Sequence, residues 1–135
     1  MKKRVFLICA VLFVLVFASC ASTPEATGPV NLENTAWRHE SGHWAMIFPD
    51  STNWYFENSQ GRKWVSGTYE FIADDNLIQM LVKEVEPAGR EVGFDEPGEV
   101  YNYTISGNRI PYTQTHSGLR MYYQRVNRWR GQRFD

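Results

Sequence analysis

Four short apolar runs crowd the stretch from Trp44 to Glu84, and each is closed by turn-forming residues. Trp44 to Phe48 stops at Pro49-Asp50-Ser51, Thr52 to Glu57 at a polar turn, and Ser66 to Ala73 at Asp74-Asp75-Asn76, after which Leu77 to Glu84 begins. Runs of this composition, bounded by residues that reverse the chain, are the grammar of an antiparallel meander. An aromatic content of 15% favours the same class, because large rings suit a β core.

Period-two alternation selects one face of these strands. Trp44, Met46 and Phe48 share it with Trp54 and Phe56, Tyr69 and Phe71, and Ile78, Met80 and Val82; Tyr101, Tyr103 and Ile105 continue it further on. Asn53, Glu57, Thr68, Glu70, Asn102 and Thr104 fall on the other face, which Ala45, Ile47, Tyr55 and Leu81 interrupt. Strands over Thr35 to Glu40, Glu99 to Ile105, Ile110 to Thr113 and Leu119 to Val126 bring the expected number to eight. Consecutive strands with no helix between them predict an all-β, up-and-down antiparallel meander closing into a barrel, since closure removes unpaired edges. The long connection, residues 85–98, holds Pro87, Gly89, Gly93, Pro97 and Gly98 among Glu86, Glu91, Asp95 and Glu96. A loop of this length in so small a domain reads either as a lid or binding loop or as a solvated acidic connection.

The N-terminus reads as an address. Lys2, Lys3 and Arg4 precede an uninterrupted apolar run from Val5 to Phe17, which is shorter than the ~20 residues of a spanning helix. The run ends Phe17-Ala18-Ser19-Cys20, which resembles the lipobox of bacterial lipoproteins, with Phe17 in place of the usual Leu. That resemblance implies a signal peptide over residues 1–19, acylation of Cys20 and a lipid anchor, the palmitate-type chains tying the protein to a bacterial cell envelope. Ala21 after Cys20 implies outer-membrane sorting, on the periplasmic or the surface face. Cys9 would leave with the signal, so the exported domain carries no disulfide framework. Residues 20–33 are rich in Ser, Thr, Pro and Gly and read as a tether. With Lys2, Lys3 and Arg4 removed, 11 basic residues face 15 acidic ones, a balance that argues against nucleic acid as a partner.

Four motifs along residues 34–126 resemble bacterial lipocalin-like lipoprotein domains: Asn34-Thr-Ala-Trp37, the Ile47-Phe48-x-Asp50-x-Thr52 run, Ser66-Gly-Thr-Tyr69, and Tyr103-x-Ile-Ser-Gly-Asn108. The resemblance implies an eight-stranded barrel whose interior could hold a small apolar molecule, and it brings no catalytic residues or cofactor with it.

Three constellations could carry chemistry. Inward-pointing Trp44, Trp54, Phe56, Tyr69, Phe71, Tyr101, Tyr103 and Tyr123 would either line a pocket for an apolar ligand or fill the barrel solid, as side chains can in small barrels. His39-Glu40-Ser41-Gly42-His43 is a literal His-Glu-x-x-His; on a helix it would hold zinc, with Glu40 activating water and His116 or Glu57 drafted as third ligand. Ser41-Gly42 also suits a hairpin turn, which would leave the histidines as ordinary turn residues. Residues 127–135 form an Arg-rich tail in which Arg128, Arg130 and Arg133, with Arg125 just before them, are interleaved with Trp129 and Phe134, either touching an anionic surface or fraying into solvent. The expectation is a non-catalytic, membrane-anchored module binding a small apolar ligand beneath the 85–98 loop. The alternatives are a packed barrel acting through its surface and, remotely, a zinc hydrolase.

Overall fold

The computed structural model describes residues 31–135 apart from Asp95 and His116. The expected signal peptide, Cys20 and most of the expected tether lie outside the described residues. Strands β1 (Thr35–His39), β2 (Trp44–Phe48), β3 (Asn53–Asn58), β4 (Lys63–Ile72), β5 (Leu77–Val85), β6 (Val100–Thr104), β7 (Arg109–Thr113) and β8 (Arg120–Val126) form one sheet in the order β6-β5-β4-β3-β2-β1-β8-β7. Strands β1 to β6 each pair antiparallel with their sequence neighbour, and the sheet curls until β8 pairs with β1, setting Trp37 opposite Arg125 and His39 opposite Tyr123. The molecule is thus a nearly closed eight-stranded antiparallel barrel, the class that the alternation and the resemblance both predict.

The predicted inward face is the core. Met46, Phe48, Trp54, Phe56, Ile78, Met80 and Val82 are buried together with Trp37, Ile110 and Tyr123, and Tyr69, Phe71, Tyr101 and Tyr103 pack against them half-buried. Trp54 also serves as a polar strut, its indole N–H donating to the carbonyls of Thr68 (3.0 Å) and Leu81 (3.3 Å). That geometry depends on Gly67, which sits at a register shift between β4 and β5. A Cβ on Gly67 would run into the Leu81 carbonyl.

Two segments depart from the sequence reading. The 85–98 connection is not wholly irregular, because Pro87–Glu91 form a short helix, α1, with proline in the first turn, where its missing N–H costs nothing. Gly89 of α1 lies directly on the Trp64 carbonyl, and a Cβ there would collide with it. The Arg-rich tail does not fray. Arg128–Trp129 (β9) and Gln132–Arg133 (β10) pair across Arg130-Gly131, both at positive φ (49° and 80°), as a tight two-residue hairpin requires. This hairpin lays Trp129 and Phe134 over Ala36, Ala45 and Ile47, with Tyr55 and Val126 at the margin. The apolar residues that interrupt the outer face of the alternation are therefore covered by the tail, except Leu81, which is exposed.

Candidate functional site

The barrel fails to close between β6 and β7, although these strands are neighbours in sequence. Ser106 and Arg109 exchange backbone hydrogen bonds of 2.8 and 3.1 Å across Gly107-Asn108, with Gly107 at φ 60°, and beyond this turn the strands splay apart. Between them lies a cleft of about 790 Å³. Its walls are Val100 to Thr104 on one side and Pro111 to Thr115 on the other, with Trp44 and Tyr123 beneath and Val92 to Phe94 at one end. None of the described residues lining it is charged.

Helix α1 supplies the end wall. Anchored on Trp64 through Gly89, it turns the chain so that the Phe94 N–H donates to the Gly89 carbonyl at 3.0 Å. The Phe94 ring then packs on Phe56, Trp64 and Trp44 with centroids 5.4, 5.7 and 6.2 Å away. Trp44 in turn meets Tyr123 edge-on at 5.1 Å.

Tyr123 is the unusual residue of the floor. It is fully buried, and its hydroxyl has no hydrogen-bond partner. The hydroxyls of Tyr103 on β6 and Tyr112 on β7 flank it and act on its ionisation through side-chain hydrogen bonding, although neither contact has the geometry of a full hydrogen bond. Burial pushes the Tyr123 phenol well above its ordinary range, with the neighbouring phenols adding to the shift, and Tyr103 is raised in the same way. All three phenols are therefore neutral donors at physiological pH. A buried hydroxyl whose hydrogen bonds are incomplete keeps capacity for a further hydrogen-bonding group, and Tyr123 holds that capacity where two sheet edges diverge.

His39 orders one wall of this cluster. The Ser41 backbone N–H donates to its Nδ1 at 3.2 Å, and the Ser41 hydroxyl lies 2.7 Å from the same atom. A backbone N–H can only donate, so Nδ1 is the acceptor and the proton sits on Nε2, which donates to the Tyr112 hydroxyl at 2.8 Å. Stacking on Trp44 at 4.8 Å completes the fit. Burial holds the His39 pKa below its ordinary value, opposed by the charge of Glu40 and assisted by His43. The unfolded chain therefore binds the proton more readily than the folded one. The stability contributed by neutral His39 is fully present above the ordinary histidine pKa of 6.5 and is lost as pH falls through the lower folded value. Urea unfolding followed from about pH 7.5 down to about pH 5 should show that loss, and His39→Gln should flatten the slope.

The same geometry corrects the helical reading of His39-Glu40-Ser41-Gly42-His43. The run is a β1–β2 hairpin turn, with the Gly42 N–H bonded to the His39 carbonyl at 2.8 Å and Gly42 at φ 76°. A hairpin does not set residues four apart on one face, so His39 is buried with both ring nitrogens engaged while His43 is exposed. Among the described residues no three His, Cys, Asp or Glu side chains converge, and His116 lies outside those residues.

Of the eight aromatics expected to line a pocket, Trp44, Tyr101, Tyr103 and Tyr123 border the cleft. Trp54 and Phe56 are buried core, and Tyr69 and Phe71 pack on the core away from the cleft, with the Tyr69 hydroxyl donating to the Asp50 carbonyl at 2.8 Å. Trp64, Phe94 and Tyr112 line the cleft without having been singled out in the sequence. Phe94 alone carried a signal, as the one aromatic of the 85–98 loop. The Arg-rich tail divides as well. Arg130 pairs with Glu57 at 3.0 Å and Arg125 donates to the Asp135 carbonyl at 3.2 Å, whereas Arg128 and Arg133 are exposed. No protein-family model, curated protein or solved structure matches this chain.

Proposed function

We propose that this chain is a non-catalytic, lipocalin-like binding module that takes a small, uncharged, largely apolar ligand in the β6–β7 cleft, presented from a bacterial membrane by acyl chains on Cys20. The observation that carries the reading is the cluster of neutral phenols, Tyr103, Tyr112 and Tyr123, whose hydrogen bonding is incomplete at the base of a cleft walled by aromatic rings. Rings supply area for an apolar body, and one or two phenolic donors orient it. The absence of charged groups among the described lining residues favours a neutral ligand, because a buried ion would find no counter-charge there.

Native mass spectrometry of the domain from residue 21 onward, purified from producing cells without chelator, tests the reading. A bound species of lipid-like or metabolite-like mass is expected. Tyr103→Ala should remove it, whereas Glu70→Ala on the exposed outer face should not. Tyr123→Phe deletes an incompletely bonded buried hydroxyl, so it should raise stability, or at least not lower it, while weakening retention of the ligand. A domain that carries nothing, or a Tyr123→Phe variant that loses stability yet retains the ligand unchanged, would sink the proposal. A packed barrel acting through its outer surface is the second reading, favoured by the fully buried Trp37, Phe48, Trp54 and Phe56 that fill the barrel centre.

A further inference from the structure

The two edges of the cleft carry hydrogen-bonding groups that a small apolar ligand leaves unused, and the inference drawn from them goes beyond the reading above. In β6 the Glu99 carbonyl accepts from Val82 N–H at 2.9 Å and the Ile105 N–H donates to Asn76 at 2.8 Å, so odd residues face β5. By the alternation of an antiparallel ladder, Val100, Asn102 and Thr104 turn their N–H and C=O groups toward β7. In β7 the Asn108 carbonyl accepts from Arg125 and the Gln114 N–H donates to Leu119, so even residues face β8. Pro111 and Thr113 therefore turn outward toward β6, Pro111 offering a carbonyl but no N–H. None of these five residues has a backbone partner across the gap.

We infer that the cleft accepts an extended peptide as an added strand that completes the barrel. Strands β6 and β7 run antiparallel to each other, so an inserted strand must be antiparallel to one and parallel to the other. Strand β6 has its full set of outward donors and acceptors while β7 lacks the Pro111 donor, so the stronger antiparallel ladder forms along β6. Alternate side chains of the guest then point inward onto Trp44, Tyr103 and Tyr112, and the others to solvent.

Charge defines the occupant further. The described lining is uncharged, so the inserted residues are uncharged, with apolar side chains at every second position. Val92 to Phe94, which form one end of the cleft, belong to a connection (residues 86–99) that in sequence carries Glu86, Glu91, Asp95, Glu96 and Glu99 against the single cation Arg90. The charge of Glu40 reaches the Tyr112 phenol from the other side. A lysine or arginine just outside the inserted stretch complements this rim.

The test is selection from a displayed library of random peptides of about twelve residues, long enough to exceed the edge strands, against the full-length chain held in dodecyl maltoside. Selected peptides should alternate apolar residues, lack central charge and carry a basic flank. Methylating the backbone nitrogen at the positions facing β6 should weaken binding about threefold to tenfold for each hydrogen bond removed. Methylation at the intervening positions facing β7 should matter less. Asn102→Pro and Thr113→Pro, which delete only outward-facing donors, should weaken the same peptides, whereas Asn102→Ala should not. The inference is overturned if no peptide is selected, if nitrogen methylation is tolerated throughout, or if both proline variants bind normally. It is also overturned if sedimentation shows a dimer abolished by Asn102→Pro, since a second copy would then fill the seam. Retention of the small-molecule adduct in any of these cases leaves the ligand reading standing while the strand reading falls.

Discussion

Trp129→Ala should lower the free energy of unfolding by about 3–5 kcal/mol, the usual cost of deleting a large buried ring. Trp129 is 7% exposed and packs on the outer surface of the barrel, above Ala36, Ala45 and Ile47. Those three residues are themselves fully or almost fully buried, and without the tail hairpin they would face water. The indole also donates to the Glu57 carboxylate at 3.2 Å, the same oxygen that Arg130 holds at 3.0 Å. Glu57 is 8% exposed, so the substitution removes one of its two partners as well as the ring. Trp129→Phe keeps most of the packing and loses the hydrogen bond, so it should cost only about 1–2 kcal/mol. Chemical denaturation of the two variants separates packing from polar anchoring. A Trp129→Ala protein as stable as the parent would show that the tail is dispensable.

Gly67→Ala should be nearly as damaging, at about 3 kcal/mol or more, despite adding one methyl group. The new Cβ would point at the Leu81 carbonyl, a backbone atom that cannot swing aside, at a register shift in the β4–β5 ladder. Relief requires the strands to separate, which would also break the Trp54 indole bond to the Leu81 carbonyl. Ser66→Ala next to it should stay within about 0.5 kcal/mol. Thermal melting of both variants checks the contrast, and equal melting points would remove the steric account.

Most of the meander was legible because alternation in strands is a local property. Met46, Phe48, Trp54, Phe56, Ile78, Met80 and Val82 announce the inner face by spacing alone, and all are buried. Turn positions were legible for the same reason, Gly42, Asn76 and Gly107 adopting positive φ where the sequence breaks. The tail was harder to read. Arg128, Arg130 and Arg133 give it the composition of a solvated terminus, while its structure depends on a hairpin turn and on apolar residues of β1 and β2 more than 70 positions away. Ala45 and Ile47 looked like noise in the alternation because their cover comes from the opposite end of the chain.

The site was legible only in pieces. Trp44, Tyr101, Tyr103 and Tyr123 could be placed on the inward face, but alternation cannot say which inward rings meet the core and which meet a gap. The His-Glu-x-x-His run shows how ambiguous a motif is without its backbone: a helix would pair its imidazoles, while the observed hairpin buries one and exposes the other.

By itself the sequence determined the β class, the eight barrel strands with bounds mostly within a residue or two (β4 begins three residues earlier than expected, at Lys63), and the face each presents, because these follow from periodicity and turn chemistry. Tertiary structure alone decided where the barrel stays open. Nothing in Ser106-Gly107-Asn108-Arg109 distinguishes a hairpin that continues to pair from one that splays after a single bridge. The seam falls there because pairing between β1 and β8 closes the sheet from the other side, leaving β6 and β7 as its two ends. A choice made by contacts so distant in sequence leaves no local trace.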